Sequence, residues 1–270
     1  MSIIQSVILG AVQGATEFLP VSSSGHLALL GNFFGITNVS VFFSIMLHVG
    51  TLAAVIIALR KEIIAILTHP VKNKLGMLII ATLPAIIITL AAGKVFPAVF
   101  SDLLDGKYLA FGFFATTGVL VACEIAAARR ERTRKSIDLP QALVMGFMQA
   151  AAIAPGLSRS GATISGGLFA GVQREQAAKF AFLMSIPAIV GGLAFGVMDI
   201  VDTGLGDADI PTIVAGTAVA AVCGYFAIMF MLKLISKHRL YGFAVYTAVI
   251  GTIILAESLM YGNVFPNPFI

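Results

Sequence analysis

Almost every residue able to do chemistry in this chain falls in two short stretches. The first is Q-G-A-T-E-F-L-P-V-S-S-S-G-H over 13–26, which holds a carboxylate (Glu17), three hydroxyls (Ser22, Ser23, Ser24) and an imidazole (His26). The second is P-G-L-S-R-S-G-A-T over 155–163, which holds Arg159 flanked by Ser158, Ser160 and Thr163. Arginine carries a permanent charge and a planar fork of donors suited to phosphate. Gly156 and Gly161 allow close backbone approach, and a helix beginning near Thr163 would aim its N-terminal N–H groups at an anion. Beside a serine run and a carboxylate, His26 is a base or acid near neutral pH. Glu17 follows Gln13 by four residues, so both share one helix face. A carboxylate opposite a phosphate site calls for a divalent cation or a proton between them, which makes Glu17 the candidate metal ligand. Simpler roles compete: a serine after a proline caps a helix, and Arg159 could be a structural partner of Glu17.

The remaining polar residues in apolar stretches suggest less. His48 reads as a hydrogen-bonded core histidine. Glu124 and Glu257 lie near the ends of apolar runs and read as interfacial. Cys123 and Cys223 read as small packing residues, and no cysteine or histidine spacing suggests a metal site.

Composition states what must position these groups. Of 270 residues, 59% are hydrophobic and only 11% charged, with a net charge of +4, and the mean hydropathy is +0.99. Thirty charges cannot cover the surface of a soluble fold this size. The chain reads as an all-α integral membrane protein. Disordered, fibrous and disulfide-rich secreted classes are excluded. Nucleic-acid binding is not needed to explain the basic residues, because they lie where membrane topology would put them. The N-terminal M-S-I-I-Q-S-V-I-L-G-A-V-Q-G lacks a basic region and reads as mature protein, not a signal peptide.

Six apolar runs are long enough to span a bilayer: 41–59, 76–93, 108–128, 178–198, 211–232 and 240–260. Four connectors hold 14 of the 17 basic residues: Arg60, Lys61, Lys72 and Lys74; Arg129, Arg130, Arg132, Arg134 and Lys135; Arg174 and Lys179; Lys233, Lys237 and Arg239. The connector from Lys94 to Lys107 holds two more, and that from Asp199 to Asp209 is purely acidic. The positive-inside rule places the four basic connectors in the cytoplasm and both termini outside.

Residues 1–35 and 139–171 are apolar at both ends and broken by the chemically rich motifs. Were each to cross once, the charge bias would invert after it, so both read as re-entrant helix–loop–helix hairpins. Irregular backbone at membrane depth is tolerated only where protein or a water-filled cavity surrounds it. The hairpins also match each other: Gly10, Gln13, Ser22, Ser24 and Gly25 recur as Gly146, Gln149, Ser158, Ser160 and Gly161, each 136 residues on. The single membrane domain 1–270 thus divides into halves 1–135 and 136–270, each a hairpin plus three spans. Three is odd, so the halves form an inverted-topology repeat whose hairpin tips meet near the midplane. Gln149, mirroring Gln13, is expected to hydrogen-bond across the repeat axis. The tips differ where Ser23 aligns with Arg159, His26 with Ala162 and Glu17 with Ile153.

At these residues the sequence resembles the undecaprenyl-diphosphate phosphatases of the bacitracin-resistance type. The likeness covers both motifs, 13–26 and 155–167, and nearly the whole chain. It implies removal of the terminal phosphate from a polyprenyl diphosphate, which returns the lipid carrier to cell-wall synthesis. It also implies a site open to the extracytoplasmic face and dependence on Mg2+ or Ca2+. Position by position, it implies functional roles for Glu17, Ser22, Ser23, Ser24 and His26 in the first motif, and for Ser158, Arg159 and Thr163 in the second. Ser23 would be the nucleophile, and His26 would activate it or protonate the leaving phosphate. Arg159 would clamp the diphosphate, and Glu17 would hold the metal or orient the Ser/His pair. The first motif often begins with Glu where this chain has Gln13, which offers a carbonyl but no charge. The cation is therefore expected on Glu17 and the substrate's own oxygens. The partners implied are the lipid substrate and membrane lipids, with no nucleic acid; a homodimer is compatible with this reading. The rival is a polyprenyl-phosphate flippase, since inverted repeats with broken helices are also a transporter architecture.

Overall fold

The computed structural model describes residues 1–36, 40–70, 75–95, 108–129, 134–203 and 209–260. Lys72, Lys74, Lys107, Arg130, Arg132 and part of the acidic connector lie outside them. Among the described residues there are eleven helices and no strand. They are α1 (Ile3–Phe18), α2 (Ser23–Phe33), α3 (Val41–Ala58), α4 (Arg60–Thr68), α5 (Leu75–Val95), α6 (Leu109–Ala128), α7 (Leu139–Ala151), α8 (Arg159–Phe169), α9 (Arg174–Thr203), α10 (Ile210–Lys237) and α11 (Tyr241–Met260). Six of them, α3, α5, α6, α9, α10 and α11, are long and apolar enough to cross a membrane. They coincide with the six segments expected from hydropathy. The basic residues Arg60 and Lys61 open a short helix, α4, that hydropathy alone does not reveal.

Local signals explain the two broken segments. Ser2 and Gln5 cap α1 reciprocally, the Gln5 side chain accepting from the Ser2 N–H at 2.8 Å and the Ser2 hydroxyl from the Gln5 N–H at 3.2 Å. The helix ends just before Leu19–Pro20, because proline cannot supply the next N–H. The chain restarts as α2 behind Ser22, whose Oγ accepts from Gly25 N–H at 3.3 Å. The second hairpin repeats the device: Ser158 Oγ accepts from Gly161 N–H at 3.1 Å, and α8 begins at Arg159. The helix start is thus a turn earlier than Thr163, because the cap is the serine and not the threonine.

The first arm of each hairpin packs against a long helix of the other half. α1 lies on α10, where Gly10 faces the Gly216 backbone and Gly14 faces Ala220 and Gly224. α7 lies on α5, where a Cβ at Gly146 would stand 2.5 Å from the Ala81 carbonyl oxygen. α3 packs chiefly on α10 and also on α9, and α6 pairs with α11. Thr117 and Thr247 meet hydroxyl to hydroxyl at 2.9 Å in the latter pair. These glycine contacts bring backbones together in the way apolar surroundings require, since no hydrophobic force separates helix from lipid. Large apolar residues such as Ile57, Ile87, Phe226 and Phe230 remain exposed on the outer faces, as lipid contact demands.

One expectation is refined and one corrected. Glu124 lies near the end of α6 as expected, but protein shields it: it is 1% exposed. It pairs with Arg174 and accepts the Leu240 N–H at 3.1 Å, because the turn after α10 folds over the end of α6. Gln149 is buried, but neither of its amide atoms has a hydrogen-bond partner, so it does not bond to Gln13. Its helix is packed on α5 and α8, while Gln13 faces α3.

The glycine contacts can be tested in detergent by thermal unfolding. Gly10→Ala places a methyl group into the Gly216 backbone and should cost about 1–3 kcal/mol. Gly118→Ala, which meets open space, should be neutral or stabilise by up to about 1 kcal/mol.

Candidate active site

Serine capping leaves the position just after each cap as the first residue of the second arm. In α2 that residue is Ser23, and in α8 it is Arg159. The two helix N-termini meet over Glu17, on the last turn of α1. Arg159 Nη2 is ion-paired with Glu17 Oε1. Ser23 Oγ donates to Glu17 Oε2 at 2.5 Å, and Gln13 Nε2 donates to the same oxygen at 3.0 Å. Glu17 is only 5% exposed, so its charge is answered almost wholly by protein donors. Arg159 keeps 24% of its side chain accessible. It is the part of the pair that a ligand can reach.

Ser22 holds this arrangement in place. It is the one described non-glycine residue with positive φ, at 69°. A left-handed conformation costs an L-residue about 1–2 kcal/mol. The turn reverses the chain within one residue and delivers Ser23 to Glu17. The second tip is clamped by a residue the sequence did not single out. Thr116 of α6 donates to the Gly156 carbonyl at 2.8 Å and accepts the Ser158 N–H at 2.9 Å. Gly156 adopts φ +86°, and its neighbour Pro155 sits on Gly112. Ser160 Oγ donates to the Leu19 carbonyl at 2.8 Å and joins the two tips directly.

The tips enclose one side of a cavity of about 330 Å3. Glu17, Ser22, Ser23, Ser24, Ser158 and Arg159 line it, as their motif positions led us to expect. Four other candidates do not line it. Ser160 is spent on Leu19, and Thr163 donates to the Arg159 carbonyl at 2.8 Å within its own helix. Gln13 is buried behind Glu17. His26 faces away: its Nδ1–H donates to the Ser22 carbonyl at 2.7 Å, which leaves Nε2 to accept from the Tyr246 hydroxyl at 2.7 Å. Its ring stacks on Tyr246 and meets Phe113 edge-on.

A different imidazole lines the cavity. His48, on α3, has Nδ1 3.0 Å from the Ser44 carbonyl, one turn back on its own helix. That contact requires a proton on Nδ1, and Nε2 makes no hydrogen bond among the described residues. A mid-span histidine four residues after a serine carries too weak a sequence signal to separate this role from a core histidine.

The oxygen donors at Glu17 are its own carboxylate, the Ser23 hydroxyl and, behind it, Gln13 Oε1, with the Ser22 and Ser24 hydroxyls on the same cavity wall. Gln13 Oε1 is buried with no hydrogen-bond partner. Such a set fits a hard divalent cation. Among the described residues no three His, Cys, Asp or Glu side chains group around one point. A cation here would need ligand oxygens to complete its shell.

The chain is similar to known proteins over its whole span. The family model described as Bacitracin resistance protein BacA matches residues 6–253. An undecaprenyl-diphosphatase of Carboxydothermus hydrogenoformans is 41% identical over 258 residues, covering 94% of this chain and 97% of that protein. One of Alkaliphilus metalliredigens is 38% identical, covering 96% and 100%. One of Rubrobacter xylanophilus is 34% identical, covering 96% and 100%.

The clamp on the second tip makes a direct prediction. Thr116→Val strands a buried N–H and carbonyl and should destabilise the fold by about 1–3 kcal/mol in thermal unfolding. An unchanged midpoint would show that the tip is held by other contacts.

Proposed function

From the chain's membership of the bacitracin resistance protein BacA family, we infer a membrane phosphatase that hydrolyses undecaprenyl diphosphate to the monophosphate plus inorganic phosphate, recycling the lipid carrier of cell-wall synthesis. The reaction centre is the Ser23–Glu17–Arg159 junction, and the hydrogen bond from Ser23 to the Glu17 carboxylate is the observation that carries this assignment. A transporter gains nothing from a hydroxyl held on a carboxylate beside an anion-binding arginine.

The terminal phosphate enters between the N-termini of α2 and α8, where helix dipoles and Arg159 favour negative charge. As Arg159 turns its fork to the phosphate, Glu17 loses its cation and becomes a stronger base. Glu17 then takes the Ser23 proton as Ser23 Oγ attacks the terminal phosphorus. The bond to the bridging oxygen breaks, that oxygen takes the proton from Glu17, and undecaprenyl monophosphate leaves with the Glu17 carboxylate restored. Arg159 stabilises the charge that spreads over the equatorial oxygens. Water, deprotonated in the same way, hydrolyses the phosphoserine and restores Ser23. His48 Nε2 is the group placed to exchange a proton with the departing phosphate. His26 is a positioning residue that fixes the Ser22 turn. A bound Mg2+ or Ca2+, held by Glu17, nearby hydroxyls or the Gln13 carbonyl, and the substrate's oxygens, would supply further charge neutralisation.

The architecture we propose around this centre is a pair of re-entrant hairpins in an inverted repeat. Matching caps at Ser22 and Ser158 support it, as do the crossed packing of α1 on α10 and α7 on α5 and the half-chain spacing of their contact positions. The cavity is lined by the early part of α3 and the later part of α9, away from the basic connectors. That supports an opening to the extracytoplasmic side, with both termini on that side.

Purified protein given a polyprenyl diphosphate and Mg2+ should release phosphate. Ser23→Ala should lower kcat by about a thousandfold or more, with no phosphoenzyme trapped. Arg159→Ala should cost at least about a hundredfold. Full activity in Arg159→Ala would falsify the anion site. His48→Ala and His26→Ala should separate: the first lowers kcat with an unchanged unfolding midpoint, whereas the second lowers the midpoint. A phosphoenzyme absent from the wild type under rapid quench would move the attack from Ser23 to water.

A further inference from the structure

Two concavities meet at the end of the bundle that carries the basic connectors, around the turn between α10 and α11. The first is polar, about 410 Å3, and lies between the end of α6, Arg174 and Ser236–Arg239. The second is apolar, about 510 Å3, and runs between the first hairpin tip (Leu19, Val21), Leu234 of α10, and Phe243 and Tyr246 of α11. His238 and Arg239 belong to both walls, so the two form one composite groove.

Its charge is one-sided. Glu124, the only acid on the wall, is buried and spent on Arg174 and on the Leu240 N–H. Arg174 also donates to the His238 carbonyl at 3.4 Å, so this pair is internal bracing for the turn. Lys237 and Arg239 are exposed and make no ion pair among the described residues. Gly242, in the first turn of α11, also lines the apolar part, and N–H groups of a first helical turn lack intrahelical partners. From Arg239 the apolar slot extends along α11 to Tyr246, roughly 10 Å at the helical rise. A cationic mouth opening onto an apolar slot, in a wall that faces lipid, fits an amphiphile with an anionic head and a hydrocarbon tail.

We propose that this groove binds an anionic diacyl phospholipid of the surrounding bilayer. Its phosphodiester sits on Lys237 and Arg239, and one acyl chain lies against Leu234, Phe243 and the hairpin tip. The Glu124 carboxylate beside the mouth is spent on Arg174 and the Leu240 N–H and holds no hydroxyl, so the groove differs from the Arg159 site and suits a bound phosphodiester more than a terminal diphosphate. Exposed Tyr241 and Val245 flank the slot and give bilayer lipids direct entry. The acyl chain would press on Leu19 and Val21 from the face opposite the reaction cavity. Thr16 lies on the walls of both. The lipid therefore braces the tip that presents Ser23.

Native mass spectrometry of the full-length protein in neutral detergent tests this, with phosphatidylglycerol, phosphatidylcholine, inorganic phosphate and polyprenyl monophosphate as probes. Phosphatidylglycerol should be retained well above phosphatidylcholine. The double variant Lys237→Gln, Arg239→Gln should lower its retention about thirtyfold. Phosphate release from a polyprenyl diphosphate in lipid-free detergent should be unchanged in that variant, which also reports that it is folded. Equal retention of the two phospholipids, or unchanged phosphatidylglycerol retention in the double variant, would overturn the proposal. Displacement by inorganic phosphate alone would make the groove a soluble-anion site. Preferential displacement by polyprenyl monophosphate would assign it to the reaction's own lipid.

Discussion

One ion pair organises this molecule: Glu17 with Arg159, joined where two broken helices meet inside an apolar bundle. Neither charge is tolerable alone at that depth, and each comes from a different half of the chain. The pair therefore does two things at once. It holds the tips together, and in the reaction we propose it is the cation and base that a phosphate ligand separates. Ser23 and Gln13 satisfy the remaining carboxylate oxygen. Ser160 and Thr116 fix the backbone on which Arg159 stands.

Backbone satisfaction explains why the tips look as they do. A break in a helix frees N–H and carbonyl groups that lipid cannot pair. Ser22 and Ser158 cap the restarting helices, and Thr116 takes a carbonyl and an N–H of the second tip. Capping by the serine before each helix leaves the next side chain free to point into the cavity. That is why the nucleophile candidate and the cation occupy equivalent places in the two hairpins. The same economy appears around the turn between α10 and α11, where Glu124 and Arg174 brace the chain and Lys237 and Arg239 make no ion pair among the described residues.

Much of the fold was legible because lipid imposes strong rules. Uncharged runs of about 20 residues marked the six long helices, although α9 and the end of α10 run four or five residues beyond the expected limits. Proline, glycine and serine between apolar arms marked both breaks, and five residues repeated at one spacing tied them together. Glu17, Ser23 and Arg159 stood out since charges and hydroxyl runs are costly in such surroundings. Thr116 did not, because a threonine within an apolar helix is common and its partners are 40 and 42 residues away. The shielding of Glu124 was hidden for a similar reason: the turn that buries it is distant along the chain.

Sequence alone determined the class of the protein, the position of its six long helices, the two breaks and the chemical types gathered at them. These follow from local preferences and from the cost of polar groups in lipid, which act along the chain. Tertiary structure decided which polar groups share one cavity. It set the buried His26 against Tyr246 and put His48 on the cavity wall. It tied Thr163 back to its own helix and spent Ser160 on Leu19. Those choices depend on which way each helix is rotated against its neighbours. That rotation is set by backbone contacts such as Gly10 on Gly216 and Gly146 on Ala81, made between residues far apart in sequence.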